Sequence, residues 1–397
     1  MKITYTSIYS NVTLLIFLML LLKVNFDTLF LSVLLTGIVF FLYLIQKRKN
    51  VSIKKWIIIY ILLEFLLYGY ELLKLDNIEL TTKYLFINYG EIFLLFLVFP
   101  ISEVINKEKD IFFKKINYLG LSILVLRFFI WLSYNFFHIN MGLFTFGGGR
   151  PDFTRSIGGL SLYRAAGTFI DGFLFAYALS NCWSDKKKKK YIFELLFLIF
   201  YAVYVYQSRA QIIFYVSTIV ITIIYFSFIS RGKKVSQGIR GITAVGSLSV
   251  LYLAFSSRIQ KFFDSFSTNA VNGSSTLARQ AEYEYFSMLW RDQNIWTGFG
   301  YYYDKGPYYN GSKVFLSDLG IIVQLYQFGI IGFILSLIPL IIGFVRSFIR
   351  CSQNSNFNNR ILFILALYLL ISSSSFNPYI FINFPILVLY ISMLNFI

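Results

Sequence analysis

The feature that most constrains this chain is a succession of apolar stretches, each close to 20 residues long, separated by short polar breaks. A helix crossing the hydrocarbon core of a bilayer needs roughly 20 mostly apolar residues. Twelve stretches approach that length, at about 8–22, 26–45, 56–74, 84–105, 116–137, 164–182, 191–206, 211–229, 239–256, 317–345, 361–377 and 379–396. Lipid offers no partner to the backbone, so such segments close their hydrogen bonds internally as helices. The expected fold is therefore all-α: a polytopic bundle of about twelve transmembrane helices forming one membrane domain over residues 1–397. Composition agrees, with 14% charged residues against about 25% in an ordinary soluble domain. The first stretch lacks a small-residue cleavage site and runs directly into the second, which reads as a membrane helix rather than a signal peptide.

Lys and Arg set the orientation. With the amino terminus inside, the inner segments carry 22 of the 36 basic residues, including Lys54, Lys107, Lys109, the run Lys186–Lys190, Arg346 and Arg350. That asymmetry predicts cytoplasmic termini. It also explains the net charge of +17 as topogenic charge facing anionic lipid, not as a nucleic-acid surface. Cys182 and Cys351 fall at cytoplasmic span ends, where no disulfide is expected. Two long segments are then outer: 138–163, and 257–316 between the ninth and tenth spans. Long loops between spans tend to carry function.

Three patterns in those outer regions bear chemistry. Tyr163-Arg164-Ala165-Ala166-Gly167-Thr168-Phe169-Ile170-Asp171-Gly172 opens the sixth span. A helix amino terminus beside an arginine suits a phosphate group, although an interfacial arginine and packing glycines give the same pattern. Gln207-Ser208-Arg209 lies in the hairpin between the seventh and eighth spans. In the large loop, Thr276–Trp290 reads as an amphipathic helix with Leu277, Ala281, Tyr285, Met288 and Leu289 in one stripe and with Arg279 and Glu282 away from it. Arg291 follows, then Gly298-Phe299-Gly300 and an aromatic tail. Trp296, Tyr301, Tyr302 and Tyr308 offer flat rings for sugar contact, or for an aromatic belt. Ser317-Asp318-Leu319-Gly320 enters the tenth span, and Phe328-Gly329-Ile330-Ile331-Gly332 follows.

Ionisable residues within spans are costly and are candidates for function; here they are Glu64, Glu91, Arg127, Asp171 and Glu194. Arg127 is expected to pair with Glu64 or Glu91. The single histidine, His138, makes no metal site. Gly147-Gly148-Gly149-Arg150-Pro151 lacks the Walker spacing and lysine, so no nucleotide site, metal or other cofactor is expected.

The combination resembles the Wzy-type polysaccharide polymerase and O-antigen ligase family, over roughly Tyr163 to Phe344. It is carried by Arg164, Gly167 and Phe169, then Ser208-Arg209, then Arg279 with Gly298 and Gly300, and last Gly329, Ile330 and Gly332. Ligases of that family carry His-Asn where this chain has Ser317-Asp318, so the likeness is to the polymerase branch; Ile170-Asp171-Gly172 also departs from a common Pro-Asn pair. The resemblance implies a multi-pass protein of a bacterial plasma membrane, making an O-antigen, capsular or related glycan. It implies transfer of a glycan from undecaprenyl pyrophosphate to another lipid-linked repeat unit, with a flippase and a chain-length regulator as partners. Arg164, Arg209 and Arg279, with Arg291 in reserve, would stabilise the departing pyrophosphate. Asp318 would be the general base, with Glu282 or Asp171 as alternates. Rival expectations are a ligase, a lipid-linked oligosaccharide flippase, and a proton-coupled transporter built on Glu64, Glu91 and Arg127.

Overall fold

A computed structural model describes residues 4–22, 25–46, 52–73, 90–148, 154–157, 160–183, 188–229, 260, 274–300, 307–380 and 382–396. The expected ninth span, 239–256, lies outside the described residues, as do Tyr301, Tyr302, Lys186 and Lys187.

The described elements are almost all helical. In chain order they are α1 (Tyr5–Leu22), α2 (Phe26–Ile45), α3 (Lys55–Leu73), a 3₁₀ segment (Gly90–Leu97) leading into α4 (Val98–Phe137), hairpin strands β1 (Thr154–Ile157) and β2 (Leu160–Tyr163), and α5 (Asp171–Cys182). Then come α6 (Lys188–Phe200) with a π turn (Tyr201–Val205), α7 (Arg209–Ile229) and the loop helix α8 (Ser274–Arg291). The chain ends with β3 (Tyr308–Tyr309), β4 (Ser312–Lys313), a 3₁₀ turn (Leu316–Leu319), α9 (Ile322–Gln353), α10 (Phe357–Ser372) and α11 (Phe384–Leu394).

Six of these helical segments are long and apolar enough to cross a membrane, namely Tyr5–Leu22, Phe26–Ile45, Lys55–Leu73, Gly90–Phe137, Arg209–Phe228 and Ile322–Gln353. Gly90–Phe137 joins two expected spans, fourth and fifth, into one stretch broken at Glu108, where the backbone leaves helical geometry.

Burial shows what solvent the bundle is built for. The inward face of α2 is Leu29, Ser32, Thr36, Val39 and Tyr43, while Phe30, Leu34, Ile38 and Phe41 point outward and are exposed. Ser32 and Thr36 donate to the carbonyls one turn back, at 2.6 and 2.8 Å, so their hydroxyls are satisfied inside the helix. Leu66 and Phe193 are exposed on α3 and α6. Small or polar inside with bulky apolar outside is the arrangement lipid selects, since helices there gain from close packing rather than from hiding grease. At the centre run α10 and α11. Every residue from Ile361 to Leu369 and from Phe384 to Leu394 is buried, as expected for helices apolar all round.

Local chemistry sets the breaks. Asn25 and Thr28 form a reciprocal capping box that starts α2. Asn356 caps α10 by accepting from the N–H of Asn359 at 2.9 Å. His138 ends α4 in a left-handed conformation. A second, smaller core lies beside the bundle, where Ala281 and Phe286 of α8 pack with Val314, Leu316, Leu319, Val323 and Tyr326. The large loop thus folds against the first turns of α9.

Candidate active site

The segment from Tyr163 to Ile170 was expected to begin a helix and does not. Tyr163 ends β2, Arg164 to Ile170 are irregular, and α5 starts only at Asp171. Buried irregular backbone needs partners for its polar groups, and α4 supplies them. Asn135 accepts from the N–H of Tyr163 at 2.8 Å and donates back to its carbonyl, which Trp131 also reaches at 2.7 Å. Arg127 donates to the carbonyls of Ala166 (3.2 Å) and Gly167 (2.7 Å) and, from its other terminal nitrogen, to Leu21 (2.7 Å). Tyr201 adds a bond to the Ala166 carbonyl at 2.9 Å. The expected Arg127 pair with Glu64 or Glu91 is therefore replaced by a backbone scaffold: a guanidinium has several N–H donors in a rigid fork, and the unwound strand offers carbonyls.

Asp171 closes this segment. It accepts from the N–H of Thr168 at 3.0 Å and from the Thr168 hydroxyl, and it lies within electrostatic reach of Arg127. It is buried at 5% exposure. These bonds make Asp171 a cap of the turn rather than a group presented to a substrate.

The second pattern meets the first here. Ser208 is the amino-terminal cap of α7, its oxygen accepting from the N–H of Gln211 at 3.2 Å, which puts Arg209 at the first position of that helix. The two strands of irregular backbone are joined by the N–H of Ala165 on the carbonyl of Val205, at 3.0 Å. Tyr206 stands at the junction. Its ring packs against Gly167, where a Cβ would come within 3.1 Å of it, and it lies in the fields of Arg164, Asp171 and Asp318 together. Nothing in its sequence surroundings singled out Tyr206, one of thirty tyrosines.

The third pattern reaches the same place through α8. Arg279 is exposed on that helix and close enough to Arg209 for the two cations to repel. Asp318 sits exposed on the 3₁₀ turn before α9. Tyr206 thus lies within electrostatic reach of Arg164 and Asp318, and Arg209, three residues further on, within reach of Arg279. Arg291 is exposed at the far end of α8, three turns from Arg279.

Glu282, expected as an alternate base, is engaged with the backbone. It is buried at 2% exposure and accepts from the N–H of Phe315 at 3.2 Å, tying α8 to the strand entering α9. The expected apolar stripe holds in part, Ala281, Tyr285 and Leu289 packing into the small core. Phe286, fully buried, sets the docking centre, so Ala281, Glu282 and Phe286 face inward while Leu277 and Met288 are exposed. Burial raises the pKa of the Tyr283 phenol, and Tyr326 adds to the effect while Arg279 opposes it.

The two glycine motifs form one clamp. Phe299 and Gly300 donate their N–H groups to the carbonyls of Tyr326 (3.0 Å) and Gln327 (2.8 Å), and Ile330 donates to Ile295 (3.0 Å). Gly298 and Gly329 both adopt positive φ, +65° and +64°, and a Cβ on either would collide with the opposing backbone. Gly329 also breaks α9.

Of the proposed sugar-contacting rings, Trp296 and Tyr308 are exposed, at 59% and 73%. Two cavities of about 420 and 520 Å³ flank α8 and share Glu284. Glu284 is held by Gln280 at 3.0 Å and by Asn310 at 3.1 Å, with Tyr283, Tyr309 and Arg291 along the larger cavity. No group of three His, Cys, Asp or Glu arranged to hold a metal occurs among the described residues. Neither a scan of known protein-family models nor a search of curated proteins returns a match to the chain.

Proposed function

We propose that this protein is a polysaccharide repeat-unit polymerase, transferring a glycan from a polyprenyl pyrophosphate to another lipid-linked unit at the outer face of a bacterial plasma membrane. The observation that carries the reading is the approach of Arg209 to Arg279. A second cation next to a half-buried arginine makes that place attractive to an anion, and a pyrophosphate is the anion that suits several guanidinium groups at once. Arg164 lies near the same site through Tyr206.

In this mechanism the acceptor hydroxyl attacks the anomeric carbon of the donor sugar. The bond to the pyrophosphate oxygen breaks, and negative charge grows on the departing group. Arg164, Arg209 and Arg279 stabilise that charge. Asp318, exposed at the same junction, takes the hydroxyl proton as general base; Asp171 and Glu282, engaged in backbone bonds, hold the site's frame. The polar side chains Gln280, Glu284 and Asn310, beside Tyr283 and Tyr309, offer the mixture of hydrogen-bonding groups and rings that sugars need. A flippase and a chain-length regulator are the partners this role requires.

Deletion of the gene tests the reading. A polymerase leaves surface glycan as single capped units without a ladder; a flippase leaves none on the surface. Restoration of the full ladder by Arg164→Ala, Arg209→Ala and Arg279→Ala variants would remove the proposed site.

A further inference from the structure

We propose that the opposite end of the bundle binds the phosphate headgroup of an anionic phospholipid in a cavity between α4, α9, α10 and α11. The cavity, about 290 Å³, opens beside the break in α4 at Glu108. Lys109 and Arg350 line it from two helices, and Asn106, Asn358 and Asn359 add amide groups. Its remaining walls are apolar, including Phe113, Leu362 and Phe396. Cations beside apolar walls match a lipid, whose phosphate and acyl chains are joined, better than they match a free anion.

Further observations point the same way. Burial lowers the pKa of Lys54, and the fields of Arg346 and Arg350 add to the effect; a basic residue from a second segment therefore lies within electrostatic reach of Arg350, which lines the cavity. No ion pair joins Lys109, Arg346 or Arg350 to a carboxylate among the described residues. The amino terminus of α10, a 16-residue helix, contributes Asn356, Asn358 and Asn359 to the lining, so its partial positive charge adds to theirs. Arg350 gives one N–H to the carbonyl of Phe396 at 2.5 Å, which fixes the guanidinium at the cavity edge. The buried side-chain oxygen of Asn358 hydrogen-bonds to no protein group, which leaves an acceptor for a headgroup hydroxyl. A neighbouring cavity of about 400 Å³ shares Asn356 and Asn358 and is lined by Asp110, an acceptor suited to headgroup hydroxyls such as those of phosphatidylglycerol.

This site is independent of the glycan-transfer reading. The test uses full-length protein purified in detergent, with phosphatidylglycerol, phosphatidylcholine and inorganic phosphate as probes, read by native mass spectrometry and thermal midpoint. Phosphatidylglycerol should remain bound and raise the midpoint more than phosphatidylcholine does. The double variant Lys109→Ala, Arg350→Ala should weaken it about tenfold or more, the scale of a lost charge-assisted bond. Asn106→Asp, a change at an exposed position that places a negative charge at the cavity, should weaken it similarly and guards against a misfolded double variant. Equal effects of the two lipids, undiminished phosphatidylglycerol binding in Asn106→Asp, or full stabilisation by inorganic phosphate alone would each overturn the proposal.

Discussion

Arg127, in the carboxy-terminal half of α4, donates a 2.7 Å hydrogen bond to the carbonyl of Gly167 on the unwound segment before α5. The residue that the sequence marks as a buried charge in need of a carboxylate is thus a bracket for irregular backbone. Non-helical backbone at membrane depth persists only where protein supplies its hydrogen bonds, and this arginine serves three carbonyls at once.

Arg127→Ala should therefore destabilise the fold rather than only the chemistry. Each buried acceptor left without a donor costs about 1–3 kcal/mol. Arg127→Lys should recover little, because a point charge cannot span Leu21 and Gly167. Thermal unfolding in detergent checks this, with Glu64→Gln as comparison; a midpoint for Arg127→Ala equal to that of the parent would refute the bracket.

The clamp between the large loop and α9 gives a second expectation. Gly329→Ala puts a Cβ into the backbone of Trp296 and Thr297 at a φ that favours glycine, so α8 should detach. Limited proteolysis should then cut near 274–300 in the variant while α9 to α11 stay protected. Gly311→Ala is the control: φ is +76° but the space is open, so only backbone strain of about 1–2 kcal/mol remains. Equal protection of all three proteins would contradict the clamp.

Glu282 separates a structural carboxylate from a catalytic one. Its oxygen accepts from Phe315, and an amide oxygen accepts equally well. Glu282→Gln should keep both the loop and glycan transfer, whereas Glu282→Ala should lose the loop. Loss of transfer in Glu282→Gln with an unchanged melting profile would return Glu282 to the list of bases.

These cases show what the sequence makes legible. Helix positions such as 26–45 and 55–73 follow from long apolar runs, because each helix closes its own backbone bonds and needs little tertiary information. The start of α5 does not. Arg164 to Ile170 has helical hydropathy, and only the α4 donors Arg127, Trp131 and Asn135, about thirty to forty residues away, keep it unwound. The glycine motifs were visible as a pair of patterns, yet their mutual contact is a tertiary fact. Of the stripe expected on α8, Ala281, Tyr285 and Leu289 face the small core, while Leu277 and Met288 are exposed and Phe286, outside the stripe, is fully buried. Tyr206 carries no local pattern at all.

The approach of Arg209 to Arg279 yields the sharpest expectation. Arg279 is exposed and adds to the cost that burial already places on the Arg209 charge, so removing the Arg279 charge takes no support from the fold. Arg279→Ala, at an exposed position, should leave the thermal midpoint unchanged or slightly raised, by no more than about 1 kcal/mol. Under the proposed function the same change removes a donor that faces developing charge in the transition state, and transfer should fall by about 10² to 10³. Arg209→Ala should behave alike, and the double variant should lose less than the two single losses multiplied, because both groups act on one anion. Added pyrophosphate should stabilise the parent more than either variant, and less as salt rises. A destabilised Arg279→Ala protein, or one that is fully active, would break the link between the paired cations and the leaving group.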